Sequence, residues 1–414
     1  MLDSAALIMK NKPRLCNVVE EHITKRLRDG ESEVRLKCLS RLIEISNDDP
    51  KKLSKSTFQE MIERVKDKKI DIRTCAVVGL ARLYSKYISS RVPALSIGTS
   101  ISTFLRSAAD QELWDRLRGI PGAVVNCWGY PEVSFKHLIL QLLQEQIIHM
   151  SSLAQAEQSS LEQEYENPDS LRATSFLLMY HQLSETERQS LYAIFQTKMK
   201  IGQYVASYTK DRTEASRSKS EESHARLRRS LYRLCSVIPP IADKKNAILE
   251  KLETVKDKTI FRLLETAVSS SLSSQEYCRN RNEIRQRVDS RSALAEYLGL
   301  VYDAASFSIV NSTVIKALLI HMTYTVGSDA KTLLLLLNQI AKYFPTAFCE
   351  CAGEFKVSIF CLRTPRSLVL LPSEILLQLH AFFLICICFM LLLYEIIRYC
   401  LKMSSHHLRV VLGL

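Results

Sequence analysis

A cluster of arginines in residues 278–291 (CRNRNEIRQRVDSR) is the part of the sequence best suited to contact a charged ligand. Guanidinium groups bind phosphates well, and Arg281 and Arg285 would share one face of a helix. The next positions on that face, Val288 and Asp289, are apolar and acidic, so the positive stripe is interrupted. The pattern favours a solvated helix whose arginines pair with nearby acids. The alternative is a phosphate-binding face for DNA or an inositol polyphosphate, formed by Arg279, Arg281, Arg285 and Arg287.

No catalytic motif accompanies this cluster. The sequence has no P-loop, GxGxxG, nucleophile elbow, HExxH or EF-hand loop, and among its nine histidines only His406 and His407 are adjacent. The 12 cysteines include no CxxC pair, and most lie in apolar helical patterns, as in the reduced core of an intracellular protein. We therefore expect a protein that is not an enzyme and that carries no metal ion and no cofactor.

The composition predicts helices almost throughout. Glycine and proline number only 11 each in 414 residues, while good helix formers are abundant. The formal net charge is +12. Such a charge suits an acidic partner such as nucleic acid, an inositol phosphate, a membrane surface or an acidic protein tail, but a basic surface without a partner is equally compatible with it.

Two stretches of the chain repeat each other. Residues 64–83 match residues 26–45 at an offset of 38, with similar residues at most apolar positions and with four identical pairs: Arg26/Arg64, Asp29/Asp67, Arg35/Arg73 and Leu42/Leu80. A period near 40 predicts a helical repeat whose units bury their apolar faces only by stacking. In the second unit, Ser56 and Gln59 form a capping-box pattern that predicts the start of its first helix.

The pattern D-x-x-x-x-[VI]-R in both units resembles the HEAT repeat. In that family the Asp accepts hydrogen bonds from amides of the turn between the two helices, and the Arg reaches the Asp of an adjacent unit. The resemblance implies an all-α fold, a HEAT-repeat α-solenoid in the form of an irregular, curved superhelix. It also implies that a structural ladder is formed by Asp29, Arg35, Asp67 and Arg73. The alternative role for the two arginines is to bind a phosphate.

Four further stretches, in the same order along the chain, resemble the sister chromatid cohesion regulators of the precocious-dissociation-of-sisters family. They are residues 69–88, 120–148, 257–268 and 339–348, and the similarity runs from about residue 15 to about residue 355. The resemblance implies a middle segment of a nuclear, chromatin-associated and non-catalytic scaffold. Such a scaffold binds cohesin through its kleisin subunit, engages a Wapl-type release factor, and regulates the maintenance and release of sister chromatid cohesion.

The same reading divides the chain into four parts. We expect HEAT repeats and a linker to a long helix in residues 1–150, an acidic polar loop in 151–170, and continued helical repeats in 171–356. A divergent hydrophobic tail occupies residues 357–414, since the family pattern is expected to stop near Val357.

Within this tail, residues 375–394 lack Asp, Glu, Lys and Arg, so this stretch is long enough for a membrane helix. Because the body of the chain has a nuclear character, we expect the tail to reflect a misassigned exon or a retained intron rather than a membrane anchor or an apolar helix that caps the solenoid. The alternative function that uses the tail is a membrane-tethered HEAT-repeat adaptor in transport or trafficking.

Overall fold

The computed structural model describes residues 2–11, 13–89, 111–148, 168–218, 220–239, 245–255, 257–288, 292–306, 310–325 and 328–351. Within these ranges all regular secondary structure is helical, which confirms the all-α prediction. The predicted hydrophobic tail, including residues 375–394, lies outside the described residues. None of the helices in the described ranges is both long enough and apolar enough to cross a membrane.

The described residues up to residue 148 form eight α-helices. Their bounds are α1 Leu2–Asn11, α2 Cys16–Arg26, α3 Ser32–Asp48, α4 Lys55–Glu63, α5 Ile70–Ser89, α6 Gln111–Leu117, α7 Ile120–Asn126 and α8 Val133–Leu142. A π-helical turn, Leu143–Ile147, continues α8, so one nearly continuous helix covers the long helix that we expected there.

The second part begins at Pro168. Its helices are α9 Pro168–Gln182, α10 Glu185–Ser218, α11 Glu221–Val237, α12 Lys245–Thr254, α13 Lys258–Ala267, α14 Ser274–Arg287, α15 Ala293–Ala305, α16 Ser312–Tyr324, α17 Ser328–Tyr343 and α18 Pro345–Glu350. α10 packs against α11, α13 and α15, and α9 packs against α16.

The two repeat units are helical hairpins, α2–α3 and α4–α5, that stack side by side. α2 packs on α4 and α3 packs on α5, so equivalent helices of the two units are neighbours. The identical pair Leu42 and Leu80 is fully buried. Gly79 of α5 allows the close approach of α3, because a Cβ at this position would overlap the side chain of Ile43. This stacking is the arrangement that the HEAT-repeat prediction requires.

Two local predictions need correction. α4 begins two residues earlier than expected: Ser54, not Ser56, is the N-cap, and its Oγ accepts a hydrogen bond of 3.3 Å from the Thr57 amide. Ser54 takes this position because its backbone is extended and because Glu20 of α2 accepts hydrogen bonds from both its amide, at 2.6 Å, and its hydroxyl, at 2.7 Å.

The second correction concerns the acidic loop. Residues 151–167 lie outside the described residues, but the last three residues of the predicted loop, 168–170, belong to α9. Asp169 is buried there, where it accepts a hydrogen bond of 2.6 Å from Thr313 of α16 and forms an ion pair with Arg172. These buried contacts explain why an acidic residue that looks solvated in the sequence lies in a helix.

Candidate functional site

The turn of the first repeat unit is organised by Asp29. One carboxylate oxygen accepts a hydrogen bond of 3.0 Å from the Glu31 amide, and the other accepts one of 2.9 Å from Arg26. Arg35, at the start of α3, donates to the carbonyls of Asp29 and Gly30 at 2.9 and 3.0 Å. The turn between α2 and α3 is therefore held by Asp29, which accepts from one of its amides, and by Arg35, which donates to two of its carbonyls.

Arg35 also joins this turn to that of the next unit. Its Nε and Nη2 donate to the two carboxylate oxygens of Asp67, at 2.9 and 3.0 Å, which is a bidentate ion pair. The side chain of Asp67 is 4% exposed and that of Arg35 is 13% exposed. Burial raises the pKa of Asp67, but the hydrogen bonds from Arg35 and from the Lys69 amide outweigh it, so this pKa lies below its ordinary value.

Arg73, the equivalent of Arg35 in the second unit, contacts a different acceptor. It donates to the carbonyl of Asp67 at 3.0 Å and forms an ion pair with Glu132, just before α8. Its guanidinium lies over the ring of Tyr130, 4.3 Å from the ring centroid, which adds a cation–π contact. In the HEAT motif, Arg73 would contact an aspartate of a third repeat unit. Here Glu132 and the ring of Tyr130 take the place of that aspartate.

The arginines of α14, for which phosphate binding was the alternative to pairing with nearby acids, have two kinds of surroundings. Arg281 donates to Glu145 at 2.9 Å and to Asp303 at 2.7 Å, and Arg287 is paired with Glu283 at 2.8 Å and with Asp257 at 3.3 Å. Arg279 and Arg285 are exposed. Arg281 is thus partly buried and joins α14 to the end of α8 and to α15, whereas Arg287 is exposed and pairs with one acid of its own helix and with Asp257.

A groove lies between α8 and α15, next to the Arg281 network. Its volume is about 680 Å³, which is within the range of ligand pockets in proteins. We call it the α8–α15 groove; its lining residues include Val133, His137, Leu138, Gln141, Leu300 and Asp303. Val133, Leu138 and Leu300 are only partly buried, so apolar surface is accessible in the groove.

One side of the groove is fixed by partly buried polar contacts of Asp303, one of its lining residues. One oxygen of this carboxylate accepts a hydrogen bond of 2.6 Å from Tyr277, and the other pairs with Arg281. Burial lowers the pKa of Arg281, but the charges of Asp303, Tyr277 and Glu145 more than offset this effect and raise it overall. Arg281 therefore stays charged, and α14, α15 and the end of α8 are held together at the groove.

Lys198 of α10 also lies beside Asp303. It is 3% exposed, and its Nζ donates to the carbonyls of Ala304 and Asp303 at the end of α15, at 3.2 and 3.4 Å. Burial lowers the pKa of Lys198 to about 7, although the charge of Asp303 acts in the opposite direction. Burial and the charge of Lys198 together lower the pKa of His137 to about 4. His137 is therefore neutral at pH 7.

The sequence did not single out Lys198, His137, Glu145 or Asp303. Two of them, Lys198 and Asp303, could have been noticed as charged residues within apolar sequence patterns. Lys198 falls on the apolar stripe of α10, between Ile194 and Ile201, and Asp303 is the one charged residue in the apolar stretch 297–306. The described residues contain no group of three His, Cys, Asp or Glu side chains placed to hold a metal ion. The groove presents apolar surface with polar edges, which suits the binding of a peptide segment.

Comparison with known proteins identifies the family. The family model described as "Sister chromatid cohesion protein PDS5 protein" matches residues 1–379. This match continues past Val357, where we expected the family pattern to stop, and includes the first residues of the hydrophobic stretch 375–394. No curated protein matches the chain.

A solved structure has the same fold. A chain in the structure of the Pds5–Scc1 complex superimposes with a TM-score of 0.67 at 17% sequence identity, over 85% of this chain and 50% of that one. The present chain thus spans about half the length of that protein. Because the family model covers far more than half of the sequence, the chain belongs to the sister chromatid cohesion protein PDS5 family.

Proposed function

We propose that this chain is a non-catalytic, cohesin-associated scaffold that binds the kleisin subunit and thereby regulates sister chromatid cohesion on chromatin in the nucleus. The observation that carries the proposal is the family match over residues 1–379, which includes all the described helices. The structural neighbour supports it, because that protein was solved in a complex with Scc1.

The α8–α15 groove is the surface that we propose for the kleisin. Partly buried apolar side chains at Val133, Leu138 and Leu300 can accept the apolar side chains of an extended segment, and Gln141 at the edge can bind its backbone. The Arg281 network behind the groove fixes the relative positions of α8 and α15 before the segment arrives. A rigid groove of this kind loses little conformational entropy on binding.

The proposal is tested with the full chain and a purified kleisin, by fluorescence anisotropy at low salt. Leu138→Glu places a charge in the groove, where a bound apolar side chain would have to desolvate it. We expect the affinity to fall by about tenfold or more, since burying an unpaired charge costs more than about 1.4 kcal/mol.

The matched control is Leu335→Glu, the same substitution at an exposed leucine of α17 outside the groove. It is expected to bind the kleisin as tightly as the parent. Circular dichroism melts establish that both variants are folded. A folded parent chain that does not associate with the kleisin refutes the function, and equal affinities of the two variants refute the groove.

Two finer partner assignments belong to the same proposal. Engagement of a Wapl-type release factor is proposed from the resemblance to the family and is tested by adding that factor to the chain–kleisin complex and measuring its association. Phosphate binding on α14, from DNA or an inositol polyphosphate, is proposed for Arg279 and Arg285, two exposed arginines that form no ion pair with the described residues. Calorimetry with an inositol polyphosphate and the variant Arg279→Ala/Arg285→Ala tests it, and equal heats in parent and variant would count against it.

A further inference from the structure

The outward face of α11 carries an aromatic residue between two cations. Tyr232 is 61% exposed, and Arg229 and Arg233 are exposed beside it. We call these three residues the α11 stripe. They lie on the side of α11 opposite Leu227, Leu231 and Leu234, which are buried against the rest of the protein. An exposed tyrosine in this position contributes nothing to the core.

The acids near the stripe are already paired with other arginines. Arg226 contacts Glu214 of α10 at 3.4 Å and Glu222 at 3.6 Å. Arg228, on the other side of α11, contacts Glu253 of α12 at 3.7 Å. These contacts partly neutralise the carboxylates beside the stripe.

Arg229 and Arg233 differ from those two arginines. No carboxylate among the described residues forms an ion pair with either of them. The Nε of Arg229 donates to the carbonyl of Ala225 at 3.3 Å, and its two terminal nitrogens form no hydrogen bond with the described residues. The two arginines are four positions apart, or about 6 Å along the helix axis. The stripe therefore presents two cations about one turn apart with an aromatic ring beside them.

We propose that the α11 stripe binds single-stranded nucleic acid, with Arg229 and Arg233 on phosphates of the backbone and Tyr232 stacked on a base. Surfaces that bind single strands combine cations that follow the phosphates with exposed aromatic rings that stack on bases. An acidic peptide would use the two arginines but would leave the tyrosine exposed. The net charge of +12 favours the approach of a polyanion to any part of this chain.

The test uses the full chain and fluorescein-labelled 20-nucleotide strands, dT20 and U20, in anisotropy titrations at several salt concentrations. Arg229→Ala/Arg233→Ala is expected to weaken binding and to reduce the slope of log K against log salt by about 1.4, which is about 0.7 for each lost phosphate contact. Tyr232→Ala is expected to weaken binding by about fivefold or more, whereas Tyr232→Phe, which retains the ring, is expected to bind as the parent does. Comparing dT20 with U20 distinguishes DNA from RNA.

The matched control is Lys68→Ala/Arg82→Ala, which removes two exposed positive charges on the turn before α5 and on α5 itself. It is expected to leave the slope within about 0.3 of the parent value, because only phosphate contacts at the site contribute the full amount. Failure of the parent chain to bind either strand overturns the proposal. So does an unchanged affinity of Tyr232→Ala, or binding of a 20-residue polyglutamate peptide in preference to both strands.

Discussion

Replacing Asp67 tests whether the contact between repeat units stabilises the fold. In Asp67→Ala, Arg35 loses both carboxylate oxygens and the Lys69 amide loses its acceptor. Breaking a buried ion pair from one side costs about 3 to 5 kcal/mol. Arg35 is 13% exposed and keeps the carbonyls of Asp29 and Gly30, so we expect the low end of this range, about 3 kcal/mol.

Asp67→Asn separates the two contributions. An asparagine oxygen can still accept from the Lys69 amide, but the charge that pairs with Arg35 is gone, so we expect a loss of about 2 kcal/mol. Asp29→Ala is the matched control, because Asp29 accepts one amide and one hydrogen bond from Arg26, which is 64% exposed. Its expected cost is about 1 kcal/mol.

The assay is urea denaturation followed by circular dichroism, with a double-mutant cycle of Asp67→Asn and Arg35→Gln. We expect a coupling energy of about 1 kcal/mol or more, against about 0.3 kcal/mol for a parallel cycle on the exposed pair Lys25 and Glu21. The pKa of Asp67 is below its ordinary value of 3.8, so this stability is present above pH 3.8 and is lost as the pH falls through the folded-state pKa. Equal costs for Asp67→Ala and Asp29→Ala would refute the reasoning.

Four further substitutions test individual contacts. Burial lowers the pKa of Lys198 from 10.5 to about 7. The charged Lys198 therefore destabilises the fold fully below pH 7, and this cost falls as the pH rises toward 10.5. Denaturation curves should show that the free energy of unfolding of the parent, relative to Lys198→Met, increases by about 2 kcal/mol between pH 7 and pH 9. Gly79→Val should lower the melting temperature, since the new side chain overlaps Ile43, at a cost of about 1 to 3 kcal/mol. Arg281→Met should destabilise the chain by about 3 kcal/mol and Arg287→Met by less than about 1 kcal/mol in urea titrations, because the side chains of the Arg281 pairs are only 16 to 21% exposed and those of the Arg287 pairs are 32 to 38% exposed.

The repeat unit was predictable because its determinants are close together in the sequence. Asp67 accepts from an amide two residues later, Arg73 donates to a carbonyl six residues earlier, and the same spacing recurs from Asp29 to Arg35. Stacking of equal units then brings Arg35 to Asp67. The acceptor of Arg73 could not be predicted, because Glu132 lies 59 residues away, well beyond one period.

The groove was not predictable for a related reason. Its parts come from α8, α10, α14 and α15, whose contacts join residues more than 100 positions apart, as between Lys198 and Ala304. After residue 90 no fixed period relates one helix to the next, so the sequence indicates helices there but not their neighbours. The arginines of α14 show the limit clearly: the sequence located the cluster, but only the structure shows that Arg281 is committed to Glu145 and Asp303.

The Arg281 network has a consequence for how the chain unfolds. In a regular solenoid each unit contacts only its neighbours, so units can detach from one end while the rest stays folded. Here one guanidinium connects residues 145, 281 and 303, and the hydrogen bond from Arg281 to Glu145 spans 136 positions of the chain. This contact joins the two ends of the chain segment between residues 145 and 281, so the ends of that segment can separate only when the contact breaks. We therefore expect the segment from α8 to α15 to melt in a single cooperative step, with the stacked hairpins before it able to unzip separately.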